Sequence, residues 1–249
     1  MVVTSRILQD RLGISKEIAD YFANTRPVPP NNLFWKNKRI YLSIGFGFLT
    51  IPFAFDLMYK KGISLDDLLD DTHVSRMEAG FDRLKRFEAN EIDRQQFLAS
   101  CEELLSGNIR QKHLAADLFA FFQDKPASHF TFETRYPALA RSDFFLFTLV
   151  DLSLSDDWIA EFLPYWYSLA RPILLLDDFK DFPEDLENGE ENTIVELGAN
   201  REAVEKAYAL GREDLRMLSD VNSRLANYME EFFKETEAYH HIQALMANQ

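Results

Sequence analysis

Leu174 to Asp185 reads LLLDDFKDFPED, three leucines followed by five carboxylates within a dozen residues: Asp177, Asp178, Asp181, Glu184 and Asp185. At about 100° per residue, a helix that continues past Pro183 gathers Glu184, Asp177, Asp181, Asp185 and Asp178 into an arc of about 120°. Extended toward the N-terminus, the same face meets Leu163, Trp166, Ala170, Ile173 and Leu174, so the acids crown an apolar stripe. Such a rim is unfavourable alone, because like charges four residues apart destabilise a helix by a few tenths of a kcal/mol per pair and acids near a helix C-terminus oppose its dipole. A divalent cation removes both objections. Oxygen-only ligation suits magnesium, which keeps several waters and is held by one or two carboxylates together with substrate phosphates. The competing reading is a solvated acidic face with no ligand.

Asp177-Asp178-Phe179-Lys180-Asp181 resembles the second aspartate-rich DDxxD motif of the trans-prenyltransferases. Lys180-Asp181-Phe182-Pro183-Glu184-Asp185-Leu186-Glu187-Asn188-Gly189 is similar to the second motif of squalene and phytoene synthases: a base, Asp, three residues ending in Glu, Asp, and Gly four further on. The spacing Asp177, Asp181, Asp185 also looks like the three-ligand metal motif of terpene cyclases. Together these resemble the isoprenoid synthase superfamily. The resemblance implies an all-α, single-domain helical bundle over residues 1–249 with a central apolar pocket, a magnesium-dependent lyase or transferase acting on an allylic prenyl diphosphate. Asp177, Asp178, Asp181 and Asp185 would be metal ligands, with Asp177, Asp181 and Asp185 carrying the catalysis. Ile173 and Leu174 stand where chain-elongating members carry Phe-Gln, which favours cyclising or coupling the allylic cation over elongating it. The alternative is a non-catalytic helical protein of the same fold that binds a prenyl lipid or a protein partner.

The resemblance also implies a first metal motif, for which two candidates compete. Asp66-Asp67-Leu68-Leu69-Asp70, followed by Arg76, reads like DDxxD, with Asp67 and Asp70 as ligands. Ser64 is equally a plausible N-cap there, with Leu65, Leu68 and Leu69 inward and Asp67, Asp70 and Asp71 outward, as at an ordinary helix start. The rival is Asp56, a lone acid near the end of a long apolar segment, where burial is costly unless the acid is paired or metal-bound. For the diphosphate, Arg135 lies 42 residues before Asp177, close to the separation of the family's phosphate-binding lysine, and Lys180 and Arg141 are further cations. Trp166, Phe55 and Phe147 offer rings for cation–π attraction to a carbocation. Ala170, two turns before Asp177, would set pocket depth about 10 Å from the rim.

The elements that must position these residues are helical. Val204, Tyr208, Gly211, Leu215, Leu218, Val221, Leu225, Met229 and Phe232 recur every three or four residues, as one buried face of a long helix requires. Breaks fall at Pro27 to Pro30, Gly62, Gly107, Asp124 to Pro126, Pro137, Ser155 and Gly189 to Gly198, giving eight or nine helices with short connections. Ile40 to Phe55 is sixteen residues without charge, short of the ~20 that a membrane span needs.

Composition bounds the function. A formal charge of -14 leaves no basic face for nucleic acid. The single cysteine, Cys101, excludes an internal disulfide framework, fits a reducing compartment and reads as a core residue. The N-terminus has acids and bases too early for a secretory signal, so a cytoplasmic protein is expected, one for which peripheral membrane contact or a homodimer is compatible. His240-His241 lacks partners at zinc spacing, and His73, His113 and His129 read as isolated surface or core residues.

Overall fold

The computed structural model describes residues 3–38, 41, 46–132 and 136–247, and for 46–48 the backbone alone. The protein is all-α: 71% of it is helical, and the described residues contain no strand. In chain order the helices are α1 Ser5–Asp10, α2 Lys16–Asp20, α3 Phe46–Lys60, α4 Leu65–Leu68, α5 Asp71–Glu88, α6 Arg94–Leu105 and α7 Lys112–Phe121. Then follow α8 Pro137–Ala140, a 3-10 stretch Arg141–Leu149, α9 Asp156–Asn188, α10 Thr193–Glu196, α11 Arg201–Thr236 and α12 His240–Ala247. These are more and shorter helices than the Gly and Pro breaks alone suggest. The extra boundaries are made by polar caps: Asp70 starts α5 by accepting from Thr72 and His73 N–H, and Asp93 starts α6 in a capping box with Gln96.

The chain divides into two compact units. The first comprises Met1–Ser5, Lys16–Phe132 and Phe145–Phe162. Its core is aromatic: Phe22 meets Tyr41 and Phe55 with ring centroids 5.1 and 4.9 Å apart, and Trp35 meets Tyr41 at 5.1 Å. Ile51, Phe53, Ala54 and Phe55 of α3 are all buried here, so the uncharged segment is a core helix from Phe46 onward, residues 40 and 42–45 lying outside the described ones. Among the described residues no helix is long and apolar enough to cross a membrane. α5 and α6 pack through stacked Phe87 and Phe97 and through Arg83, whose Nε donates to the Ser100 carbonyl at 3.0 Å. Buried Glu78 of α5 is held bidentately by Arg26, at 2.9 and 2.7 Å, and also accepts from the Tyr41 hydroxyl. Cys101 lies in this core, and burial pushes its thiol up to about 12, which leaves it inert as a nucleophile.

The second unit comprises Arg6–Ser15, Glu133–Phe144 and Leu163–Gln249. Here the expectation of one long C-terminal helix needs correction. A straight α-helix would separate residues 211 and 233 by about 33 Å, yet a Cβ on Gly211 would lie 2.5 Å from the Phe233 ring. The reason is Asn222, whose φ of -147° and ψ of 83° are non-helical. The chain folds back there, making α11 a helical hairpin whose arms meet through Tyr208 and Phe233 and through the Tyr208 and Thr236 hydroxyls, 2.8 Å apart. Asn222 holds the turn in two ways. Its Nδ2 donates to the Leu12 carbonyl at 3.0 Å, and its Oδ1 accepts from Leu225 N–H at 3.1 Å, capping the second arm. Asn222 and Phe233 are buried where Val221 and Phe232 were expected, while Leu225 and Met229 are buried as expected. Gly211→Ala should therefore destabilise the protein by about 1–3 kcal/mol through overpacking, read by urea denaturation, with partial recovery on adding Phe233→Leu. No recovery in the double variant would detach the effect from this contact.

Candidate functional site

α9 runs unbroken from Asp156 to Asn188 through Pro164, Pro172 and Pro183. The acids of LLLDDFKDFPED are thereby set on one helix, as the arc construction requires. The opposite face carries Phe179, which stacks on Tyr208 at 4.3 Å, and the flank beside Asp178 carries Phe182, which stacks on His241 at 6.0 Å. With this side locked to the α11 hairpin and to α12, the orientation of the acid face is fixed. His241 adds a hydrogen bond from Nε2 to the Phe179 carbonyl, 2.7 Å.

The carboxylates divide by environment. Asp178 is 1% exposed and has both oxygens engaged: Oδ1 accepts from Arg141 Nη2 at 2.9 Å and Oδ2 from Thr193 N–H at 2.9 Å. Burial raises its carboxyl above the usual range, while Arg141 and the Thr193 donors oppose that rise. Asp177, Asp181 and Asp185 point outward. Asp177 lies 3.5 Å from Arg141, Asp181 accepts from its neighbour Lys180 at 2.7 Å, and Asp185 accepts from Asn192 Nδ2 at 2.8 Å. Burial raises the Asp177 carboxyl most, with the charges of Asp181 and Asp185 adding and those of Arg141 and Lys180 opposing. Asp177 therefore senses both of the other carboxylates.

Asn192 ties this rim to the following loop. Its Nδ2 also donates to the Asp178 carbonyl at 2.8 Å, and its Oδ1 caps α10 by accepting from Ile194 N–H at 2.9 Å. Sequence reasoning missed Asn192; an Asn directly before the Thr193 start of α10 was the available cap signal. Arg141, named only as an alternative to Arg135, is the cation that reaches the acids, and Arg135 lies outside the described residues. Trp166 and Ala170 are buried on α9, the Trp166 Nε1 lying 3.4 Å from Asp143. Phe55 and Phe147 belong to the core of the first unit, Phe147 against Phe119 at 5.0 Å.

The first-motif candidates belong to the first unit. Asp56 is 2% exposed and pairs with Lys60 one turn on, at 2.7 Å. The DDLLD stretch does not lie on one helix. It spans the α4–α5 boundary, where Ser64 caps α4 and donates to Asp67 at 2.7 Å while Asp70 caps α5. Asp66, Asp67 and Asp70 nevertheless line a cavity of about 340 Å³ together with His73, Arg110 and Asp151.

The three histidines read as isolated surface or core residues prove to have partners. His73 is buried and bonds Asp151 through Nδ1 at 2.9 Å; Asp151 also accepts from Arg76. His113 stacks on His129 at 4.0 Å and bonds Asp156 at 2.6 Å. Residues 78 positions apart leave no spacing signal for such a pair. Burial, reinforced by the Arg76 guanidinium and opposed by Asp70 and Asp67, lowers the His73 imidazole to about 4. A His whose folded value is depressed contributes stability that is complete above the unfolded value, about 6.5, and is lost as pH falls through the folded value. Wild type should accordingly lose stability between pH 6.5 and 4, and His73→Asn, which retains a donor for Asp151, should lack that component in pH-dependent urea melts.

Among the described residues no three His, Cys, Asp or Glu side chains converge as a preformed metal cage. The outward oxygens of Asp177, Asp181 and Asp185 match a hard cation that retains waters and takes few carboxylates, whereas Asp178, with both oxygens bonded, positions its neighbours. No protein-family model, no curated protein and no solved structure matches this chain.

Proposed function

We propose that the protein is a magnesium-dependent enzyme of isoprenoid synthase type that ionises an allylic prenyl diphosphate and lets the cation cyclise or couple. The observation that carries this reading is the outward set Asp177, Asp181 and Asp185 on one face of an uninterrupted α9, directly below buried Trp166, Ala170 and Ile173. Such a face joins an anionic rim to a hydrocarbon-compatible wall, the two surfaces that a prenyl diphosphate needs.

The three carboxylates would hold magnesium, which when bound supplies charge neutralisation for the departing diphosphate. Asp178, clamped by Arg141 and Thr193, keeps that helical turn in register. Arg141 also places a guanidinium beside Asp177, and exposed Lys180 a flexible ammonium beside Asp181, so both can meet phosphate oxygens. In the step itself the allylic C–O bond breaks, its electron pair leaves with diphosphate, and the apolar residues above the rim exclude water from the cation.

The test is release of inorganic diphosphate from farnesyl or geranylgeranyl diphosphate, with magnesium and with excess chelator. Release that requires magnesium supports the reading, and its absence with both substrates overturns it.

A further inference from the structure

Pro183 sits inside α9 and divides the acids of the rim: Asp177 and Asp181 precede it and Asp185 follows. In an α-helix the carbonyl of residue 179 accepts from the N–H of residue 183, and a proline there has no N–H to donate. The Phe179 carbonyl is nevertheless bonded. His241 of α12 lies 2.7 Å from it through Nε2, and because a carbonyl only accepts, the imidazole proton is on Nε2. The adjacent carbonyl, that of Asp178, accepts from Asn192 Nδ2 at 2.8 Å. Two side chains, from the N-cap of α10 and from α12, thus reach into the α9 ladder at the turn that Pro183 opens.

That turn governs the rim. A proline kink of about 20° acting over one helical turn of about 5.4 Å moves a carboxylate by roughly 2 Å. Magnesium demands near-ideal octahedral geometry, so Asp185 can serve with Asp177 and Asp181 only where the bend is fixed. α12 is placed to fix it, since Ile242 anchors it in the core and the His241 ring stacks on Phe182, the residue before the proline. We propose that His241 is a positioning residue of the α9 rim, supplying the hydrogen bond that Pro183 withholds and so holding Asp185 in register with Asp177 and Asp181. This role rests on the reading of those acids as a magnesium rim. It makes α12 part of the site although α12 presents no group to the ligand.

The experiment is a magnesium titration, read as the rise in Tm at a fixed concentration of a non-hydrolysable prenyl diphosphate analogue. His241→Asn, whose short amide does not reach the Phe179 carbonyl, should raise the half-saturating magnesium concentration about 10-fold, as loss of a group that orients metal ligands does. His241→Gln, whose longer amide brings its nitrogen near the place of Nε2, should titrate like wild type. So should Pro183→Ala combined with His241→Asn, in which residue 183 again donates to the Phe179 carbonyl. A role in packing alone would lower the metal-free Tm, and Pro183→Ala would not recover the magnesium midpoint. If His241→Asn fails to fold, His241→Phe, which keeps a ring against Phe182 without the donor, takes its place in the same comparisons. An unchanged midpoint in the variant overturns the positioning role and leaves the rim reading intact, and so does a deficit that Pro183→Ala leaves in place. A wild type with no joint response to magnesium and analogue overturns the rim reading and this role with it.

Discussion

Replacing Arg141 by methionine should lower folding stability by about 3 kcal/mol at neutral pH, and adding Asp178→Asn should restore most of it. Asp178 is 1% exposed, and its 2.9 Å contact with Arg141 is its charge partner. Removing one member of a buried pair leaves an uncompensated charge, which is worse than removing both. The lower end of the usual 3–5 kcal/mol applies because the Arg141 side chain is partly exposed and the pair is screened. Without the guanidinium the Asp178 carboxyl, already raised by burial, rises further. A carboxyl raised in the folded state disfavours folding when ionised, so the deficit should shrink as pH falls through the folded value toward the unfolded one, about 3.9. Urea denaturation at pH 7 and near pH 4.5 reads both effects. Equal deficits in the single and double variants, unchanged by pH, would mean that Arg141 acts through something other than this charge.

The helical class was legible because α9 and α11 repeat their apolar residues at the helical period, and burial of those stripes dominates their folding. The α11 turn was not legible. Asn222 falls within an apolar pattern that runs on through Leu225 and Met229, and its non-helical backbone and its bonds to Leu12 and Leu225 are what reveal that the chain reverses there. The acids of α9 were readable as one face, since three prolines did not interrupt the helix. Their division into one inward clamp and three outward carboxylates was not, because Asp178 owes its burial to Arg141 and Thr193, 37 and 15 residues away. Asp66 to Asp70 shows the converse: a motif-like spacing in sequence is, in the fold, the first turn of one helix and the N-cap of the next. Spacing reports shared helical faces and is silent about caps and long-range partners.

The proposal that the outward carboxylates form a magnesium rim for a prenyl diphosphate is tested most directly at Asp181, which lies between Asp177 and Asp185 on the arc. Asp177 senses both neighbours, so deleting the middle charge relieves repulsion in the metal-free protein. Asp181→Ala should therefore fold as well as wild type. It should also lose ligand binding, because each carboxylate of so small a set carries a large share of the metal's hold. The measurement is thermal melting of wild type and Asp181→Ala with magnesium, with a non-hydrolysable prenyl diphosphate analogue, and with both. The expected result is a rise in Tm for wild type only when both are present, absent in the variant. A wild type indifferent to the combination, or a variant that retains the full rise, would contradict the metal-rim account of α9.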